Sequence, residues 1–182
     1  MKMRKTFSIL ITLIISQNVF AQSIQDYKEY IKDNVEAAPP LNNYMNLIYF
    51  GTMLDQSLAN RITNKSLSYD EYSNLFVYGY DIFMNANKVN KAWSTFYSCD
   101  LRKIRKATVI EAESEIQIII YLQVGYSCTE YSTPSTFKYR DNINIGLKTS
   151  KKTAENIKNA IIKLAELSGA GPVLDGNSMF ND

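Results

Sequence analysis

An alternating run of apolar side chains between residues 116 and 124 constrains the fold of this 182-residue chain more than any other feature. Every second position carries a branched aliphatic residue, and these are Ile116, Ile118, Ile120, Leu122 and Val124. The positions between them are mixed, with Gln117, Ile119, Tyr121 and Gln123. Because successive side chains of a strand point to opposite faces, this segment is predicted to be a strand with one strongly apolar face.

Two flanking segments are predicted to complete a small sheet with this strand. Residues 104–112 form the expected strand before it, and residues 137–147 form the expected strand after it. The later segment is predicted to bend at Asp141–Asn142, where two polar residues interrupt its apolar pattern. The three strands together predict an antiparallel meander.

Three helices are predicted to precede this meander. Ser23 is expected to cap the first helix, which ends before Pro39–Pro40. The second is predicted over residues 42–62, and the third over residues 68–86, where a Ser-x-x-Glu capping box opens it. The apolar stripe that predicts the third helix consists of Tyr72, Leu75, Phe76, Gly79, Ile82, Phe83 and Ala86.

Glycine interrupts both of the longer predicted helices, at Gly51 and Gly79. A glycine inside a helix costs up to ~1 kcal/mol relative to alanine. Close contact with a neighbouring helix would offset that cost, and a break in the helix at the glycine is the alternative.

A last, amphipathic helix is predicted from Ser150 to its stop signal at Gly169. The predicted fold class is therefore α+β, with N-terminal helices followed by a three-stranded antiparallel meander and a C-terminal amphipathic helix. Residues 22–168 are expected to form a single domain, and residues 169–182 a flexible C-terminal tail.

The amino terminus has the features of a secretory signal peptide over residues 1–21. Lys2, Arg4 and Lys5 precede the apolar run of nine residues at Phe7–Ile15, and a small residue stands before the expected cleavage at Gln22. This run is shorter than the roughly 20 residues that a membrane span needs. Because residue 22 is not cysteine, no lipid anchor is expected. The sequence predicts an exported protein, periplasmic or extracellular, with no transmembrane segment after cleavage.

Cleavage of this leader changes the charge of the chain. It removes three basic and no acidic residues from totals of 20 and 18, which leaves 17 basic and 18 acidic residues and a net charge of −1. A nucleic-acid partner therefore has no support from overall charge.

The two cysteines, Cys99 and Cys128, are predicted to form a disulfide in an oxidising compartment. A two-residue turn at Glu113–Ser114 would pair Val109 with Ile118, and the same register extended would place the two cysteines opposite each other. A three-residue turn would shift the pairing by one residue, and a bulge would reconcile the two registers. A redox-active or metal-binding pair is the alternative, although the Cys-x-x-Cys spacing of such sites is absent.

The chain offers few residues for catalysis. It contains no histidine, the commonest general base and a frequent zinc ligand. Ser135 and Lys138 match a Ser-x-x-Lys spacing that acylases place at the start of a helix, but here it precedes a strand. Glu111, Glu113 and Glu115 cluster at the predicted turn and are expected to be solvated. No cofactor or metal is indicated, and the protein is not expected to be an enzyme.

Two groups of residues could form an interaction surface. One is the dense basic run of Arg102, Lys103, Arg105 and Lys106. The other consists of the tyrosines around the loop next to Cys128, which are Tyr126, Tyr131 and Tyr139. The alternative for the basic run is a solvated strand face that discourages edge pairing.

The sequence favours an exported, non-catalytic protein that binds another macromolecule, such as an inhibitor, an immunity factor or an envelope-associated factor. This function predicts an exposed aromatic patch. One alternative is a carrier of a small apolar ligand, which needs an apolar cavity of at least ~300 Å³ between helices and sheet. Another is a histidine-free enzyme that uses carboxylates or a lysine, which needs at least two such groups with shifted pKa values in one cleft. The oligomeric state is left open.

Overall fold

The computed structural model of the chain describes residues 23–39, 44–84 and 91–176. The predicted leader lies outside the described residues, as does the end of the predicted tail, residues 177–182. The helices are α1 (residues 23–36), α2 (Gln56–Thr63), α3 (Tyr69–Ser73) and α4 (Lys151–Leu167). The strands are β1 (Tyr44–Phe50), β2 (Leu75–Phe83), β3 (Lys91–Asp100), β4 (Ile104–Glu111), β5 (Ile116–Leu122), β6 (Cys128–Ser132), β7 (Thr136–Arg140), β8 (Asn142–Leu147) and β9 (Leu174–Asp175).

These strands form two sheets. The first, sheet A, has the strand order β1-β2-β3-β6-β7 and is antiparallel throughout. The second, sheet B, has the order β8-β5-β4-β9, in which only the β4–β9 pair is parallel. The chain passes from one sheet to the other within a few residues, through a 3-10 turn at Leu101–Lys103 and again at Asp141. The fold is therefore α+β as predicted, but the described residues form nine strands in two sheets instead of the single three-stranded meander.

Of the two registers left open for the β4–β5 hairpin, the structure has that of the two-residue turn. The Ala112 backbone N–H donates to the Glu115 carbonyl at 2.9 Å across the two-residue turn, and Val109 pairs with Ile118. A bulge between Ile104 and Lys106 then shifts the register by one residue. The single strand predicted over residues 137–147 is wrong, because at the expected bend β7 ends and β8 begins in a different sheet.

The principal core forms where α4 packs on the apolar face of sheet B. That face carries the alternating residues of β5 together with their partners on the adjacent strands, and the buried set includes Val109, Ile118, Ile120, Leu122, Ile143, Ile145 and Leu147. Val124, the last residue of the predicted run, follows the strand and is exposed. Ser150 caps α4 as predicted, accepting from the Thr153 backbone N–H at 3.1 Å. Ile31 and Val35 of α1 belong to the same core.

The prediction of one helix over residues 42–62 and another over residues 68–86 is wrong. Most of the first segment is strand β1 followed by the short helix α2, and most of the second is strand β2 after the five-residue helix α3. The predicted capping box does form at the start of α3. Strand β2 is buried on both faces between two apolar clusters. Its apolar residues therefore run consecutively instead of alternating, and a consecutive run also matches a helical stripe.

The segment predicted as a flexible tail contributes the short strand β9. A buried lysine, Lys158 of α4, binds Asp175 of that strand at 2.7 Å and Glu155 at 2.5 Å. Val173 is also buried. Among the described residues, no helix is both long and apolar enough to cross a lipid bilayer.

Candidate functional site

One face of sheet A changes character along its strands. Alternate residues of a strand lie on the same face, so Phe76, Tyr78 and Tyr80 of β2 share one face of sheet A. The residues paired with them on β1 and β3 lie on that face too. At one end, Phe76 pairs with the buried residues Phe50 and Cys99. Toward the other end the aliphatic and phenylalanine residues give way to tyrosines.

These tyrosines line a cleft of about 260 Å³ between the two sheets. Three strands of sheet A supply one side, and residues at the β4–β5 turn and on β8 supply the other. The lining residues are Tyr44, Asn46, Tyr78, Tyr80, Tyr97, Glu115, Asn144 and Gly146, which we name the tyrosine cleft.

The four rings of the tyrosine cleft contact one another. The rings of Tyr78 and Tyr97 are stacked with centroids 6.2 Å apart, and Tyr44 meets Tyr80 edge to face at 5.4 Å. Tyr80 also contacts the rings of Tyr78 and Tyr97. Such aromatic pairs add to the energy of burial and fix ring orientation. The cleft is therefore a preorganised aromatic surface.

Hydrogen bonds hold the phenol groups of the cleft in place. The Tyr78 hydroxyl donates to Asn46 Oδ1 at 3.2 Å and contacts the backbone of Gly146, while the side chains of Tyr97 and Tyr80 share a hydrogen bond. Burial raises the pKa of both Tyr78 and Tyr97 above the usual tyrosine value. Both phenols therefore stay protonated at neutral pH and act as hydrogen-bonding groups.

The wall contributed by sheet B depends on Gly146. A Cβ at this position would lie 2.7 Å from Glu115 Oε2, so the glycine lets the Glu115 carboxylate lie over β8. Gln117 donates to Glu115 at 2.5 Å and accepts from Asn144 at 3.0 Å. One carboxylate and two amides, those of Asn46 and Asn144, thus line the cleft with the tyrosines.

A polar pair borders the cleft beside Tyr97. Glu130 pairs with Tyr97 across β3 and β6, and its carboxylate accepts from Arg140 at 2.6 Å. This ion pair raises the pKa of Arg140, mainly through the hydrogen bond.

The predicted basic residues lie apart from the tyrosine cleft. Lys103 Nζ lies 4.4 Å from the centre of the Tyr126 ring, and Lys106 contacts the ring of Tyr121 at 5.7 Å. Arg102 forms ion pairs with Asp100 and Asp70, and Arg105 is exposed. The structure thus brings the basic run together with Tyr126 of the predicted loop.

The other two predicted tyrosines do not join this group. Tyr131 is only 4% exposed, because Phe96 and Phe137 cover its ring. Tyr139 on the edge strand β7 is 69% exposed. None of the tyrosines in the tyrosine cleft was predicted as a site. The signal that could have found them is the i, i+2 spacing of Tyr78 and Tyr80, which places two tyrosines on one face of a strand.

The predicted disulfide is not formed in the structure, where Cys99 and Cys128 are both buried free thiols. The β3–β6 ladder pairs Ser98 with Thr129, and the cysteines are the next residues along these two strands. They are therefore neighbours through sheet A, whereas the prediction brought them together by extending the β4–β5 hairpin. The Cys128 thiol donates to the Asn142 carbonyl at 3.3 Å.

The buried thiols predict a loss of stability at alkaline pH. Burial raises the pKa of Cys99 well above its usual value of 9.0 and that of Cys128 to about 11. Because the unfolded chain releases these protons first, the thiols favour folding fully below pH 9 and progressively less as the pH rises through 11. Denaturant unfolding between pH 8 and 11 is expected to show a loss on the order of 2 kcal/mol from Cys128 alone, and Cys99 adds to that loss. The Cys99→Ala, Cys128→Ala double variant should lose less; equal losses would contradict this assignment.

The residues considered for catalysis do not converge. Ser135 has a φ of 39° in the turn between β6 and β7, so no helix begins there. Glu111 pairs with Lys151 at 2.9 Å, whereas Glu115 lines the tyrosine cleft. Within residues 23–39, 44–84 and 91–176, no cluster of three or more metal-binding side chains occurs.

Three comparisons, with protein-family profiles, with characterised proteins and with solved structures, found no match to this chain. The geometry of the described residues therefore carries the functional argument.

Proposed function

We propose that the chain is an exported, non-catalytic protein that binds a neutral segment of a glycan in the tyrosine cleft. The observation that carries this proposal is the composition of the lining: four tyrosines, two asparagines, one glutamate and one glycine, with no aliphatic side chain. A site built for an acyl chain or for apolar peptide side chains would be lined mostly by hydrophobic residues.

The chemistry of a sugar matches this lining. A pyranose ring presents C–H groups on its faces and hydroxyl groups around its edge. The faces can pack on tyrosine rings, which combine apolar area with a polar end. The edge hydroxyls can pair with Asn46, Asn144 and Glu115, which supply both donors and acceptors. The cleft carries one carboxylate and no cation among its lining residues, which favours an uncharged sugar over an anionic one.

The size of the cleft supports a segment of a larger ligand. Its volume of about 260 Å³ lies below the roughly 300–1,000 Å³ that encloses a drug-sized molecule. A single ring of a longer chain would occupy the cleft while the rest of the polymer runs over the surface. A polymeric glycan is also a macromolecular partner, which is the class of partner that the sequence favours.

The two alternatives have less support. An apolar carrier needs an enclosed apolar cavity, whereas the larger hollow of about 650 Å³ between α1 and α4 is open to solvent and bordered by Asp26 and Lys163. A histidine-free enzyme would use carboxylates or a lysine, and among the described residues the tyrosine cleft is lined by one carboxylate, that of Glu115, and by no lysine.

A glycan array probed with the mature chain tests the proposal. We expect binding to neutral oligosaccharides, and we expect Tyr80→Ala and Tyr97→Ala to weaken it by roughly 30-fold each, as loss of about 2 kcal/mol from a central aromatic contact would do. Tyr69→Ala is the matched control, because Tyr69 is 86% exposed and lies outside the cleft. No binding to any neutral glycan, or equal losses in all three variants, would contradict the proposal.

A further inference from the structure

Ser98 has a buried hydroxyl group without a partner. Its side chain is 4% exposed, and among the described residues its Oγ is the one buried side-chain oxygen or nitrogen atom without a hydrogen bond. Leaving such a group unpaired costs the free energy of removing it from water. Ser94 lies on the same face of β3 and is equally buried, yet its hydroxyl donates to Asp81 at 2.6 Å. The unpaired state is therefore peculiar to Ser98.

Ser98 lines a pocket of about 220 Å³, which we name the Ser98 pocket. Its walls come from the α2–α3 region, from β3 and β6, and from the loop after β5; they include Thr63, Glu71, Ser98, Lys103, Tyr126 and Thr129. Ser98 points to the face of sheet A opposite to that of Tyr97, its neighbour in the tyrosine cleft. The pocket and the cleft are therefore separate sites.

The charges around the Ser98 pocket leave one cation available. Glu71 is paired with Lys65 at 2.8 Å, and Asp100 is paired with Arg102 at 2.6 Å. For Lys103, by contrast, no carboxylate of the described residues lies within salt-bridge distance, and its ammonium group rests on the Tyr126 ring. The pocket thus combines an unneutralised ammonium group with the hydroxyls of Ser98 and Thr129.

We propose that the Ser98 pocket binds a small molecule through an oxyanion group, a carboxylate or a phosphate. Hydroxyl donors and a lysine are the groups that bind such oxygens through charge-assisted hydrogen bonds. The volume equals that of roughly seven water molecules at ~30 Å³ each, which suits a small metabolite. Binding would give the Ser98 hydroxyl the partner that it lacks.

The test is a titration of the mature chain with inorganic phosphate and, separately, with acetate, at constant ionic strength maintained with chloride. The backbone amide signals of Ser98 and Thr129 are followed by NMR. We expect saturable shifts with one of the two anions, which identifies the preferred oxyanion. Ser98→Ala and Lys103→Met are each expected to weaken binding at least tenfold.

The control is Ser94→Ala, which removes a buried hydroxyl that already has a partner. It should lower the melting temperature and leave anion binding unchanged, whereas Ser98→Ala should keep or raise the melting temperature while it weakens binding. Thr129→Val provides a second variant if Ser98→Ala does not fold. The proposal fails if neither anion gives saturable shifts, which would mean that the pocket holds only water. It also fails if anion binding is unchanged in both the Ser98→Ala and the Lys103→Met variants.

Discussion

Val77→Asp is expected to prevent the chain from folding. Val77 of β2 is 0% exposed and packs in the apolar cluster formed with Leu54, Ile62, Leu75 and Phe96. A carboxylate placed there has no cationic partner in that cluster, so its burial should cost more than about 4 kcal/mol. This approaches the whole stability of a small domain, ~5–15 kcal/mol. Circular dichroism and denaturant unfolding of the purified variant measure the effect.

The same substitution separates the strand from the predicted helix. Val77 lies off the apolar stripe that predicts a helix over residues 68–86, so a helical segment would place it on the polar side and tolerate aspartate. Val124→Asp is the matched control, because Val124 is 85% exposed. We expect the unfolding free energy of this control to lie within ~0.5 kcal/mol of that of the parent chain. If the Val77→Asp variant were as stable as this control, the assignment of Val77 to a strand buried on both faces would be wrong.

Gly51→Ala is the second substitution expected to destabilise the fold strongly. Gly51 opens the 3-10 turn after β1, and a Cβ at this position would lie 1.6 Å from the Tyr72 carbonyl oxygen. Because the obstacle is backbone, the turn and α3 would have to move apart. Overpacking against backbone should cost about 3 kcal/mol or more. Thermal unfolding should show a clearly lower midpoint.

Gly171→Ala is the control for this glycine. A Cβ at Gly171 would have no atom within 4 Å, so the substitution should change the unfolding free energy by less than ~0.5 kcal/mol. If Gly51→Ala unfolded at the same midpoint as Gly171→Ala, the close approach of the turn to α3 would be wrong. The sequence offered both explanations of Gly51, a close contact and a break in a helix, and the structure combines them.

The parts of the fold that the sequence predicts correctly are those with one buried face. Strand β5 alternates because sheet B has an apolar face against α4 and a mixed face away from it. The helix α4 has a stripe for the same reason, and Ser150 marks its start. In such elements the period of the apolar residues reports the secondary structure directly.

Burial on both faces removes this signal in β2. In β1 burial does alternate, but the half-buried residues between the buried ones, such as Leu47 and Tyr49, are apolar too, so the sequence pattern is again continuous. In β2 the residues from Leu75 to Tyr78 are all buried, two against each apolar cluster. A consecutive apolar run fits a strand or a helix, and the true capping box at Ser68 favoured the wrong choice. The enrichment of both segments in aromatic and β-branched residues was the better guide.

The tyrosine cleft could not be predicted once these strands were assigned as helices. Tyr44 lies within the helix predicted over residues 42–62, and Tyr78 and Tyr80 lie off the apolar stripe of the next predicted helix. Only the pairing of β1, β2 and β3 puts their tyrosines on one face, and only the crossing of β8 supplies the opposite wall. Such a site depends on long-range pairing, which local patterns do not specify.

The most direct test of the tyrosine cleft is an NMR titration of the mature chain, labelled with carbon-13 on its 13 tyrosine rings, with the neutral glycan bound most tightly on the array. We predict that the ring signals of Tyr44, Tyr78, Tyr80 and Tyr97 shift on binding, while those of Tyr69 and Tyr139 stay in place. Unchanged cleft signals, together with shifts at Tyr126 or Tyr139, would contradict the assignment of the cleft as the binding site.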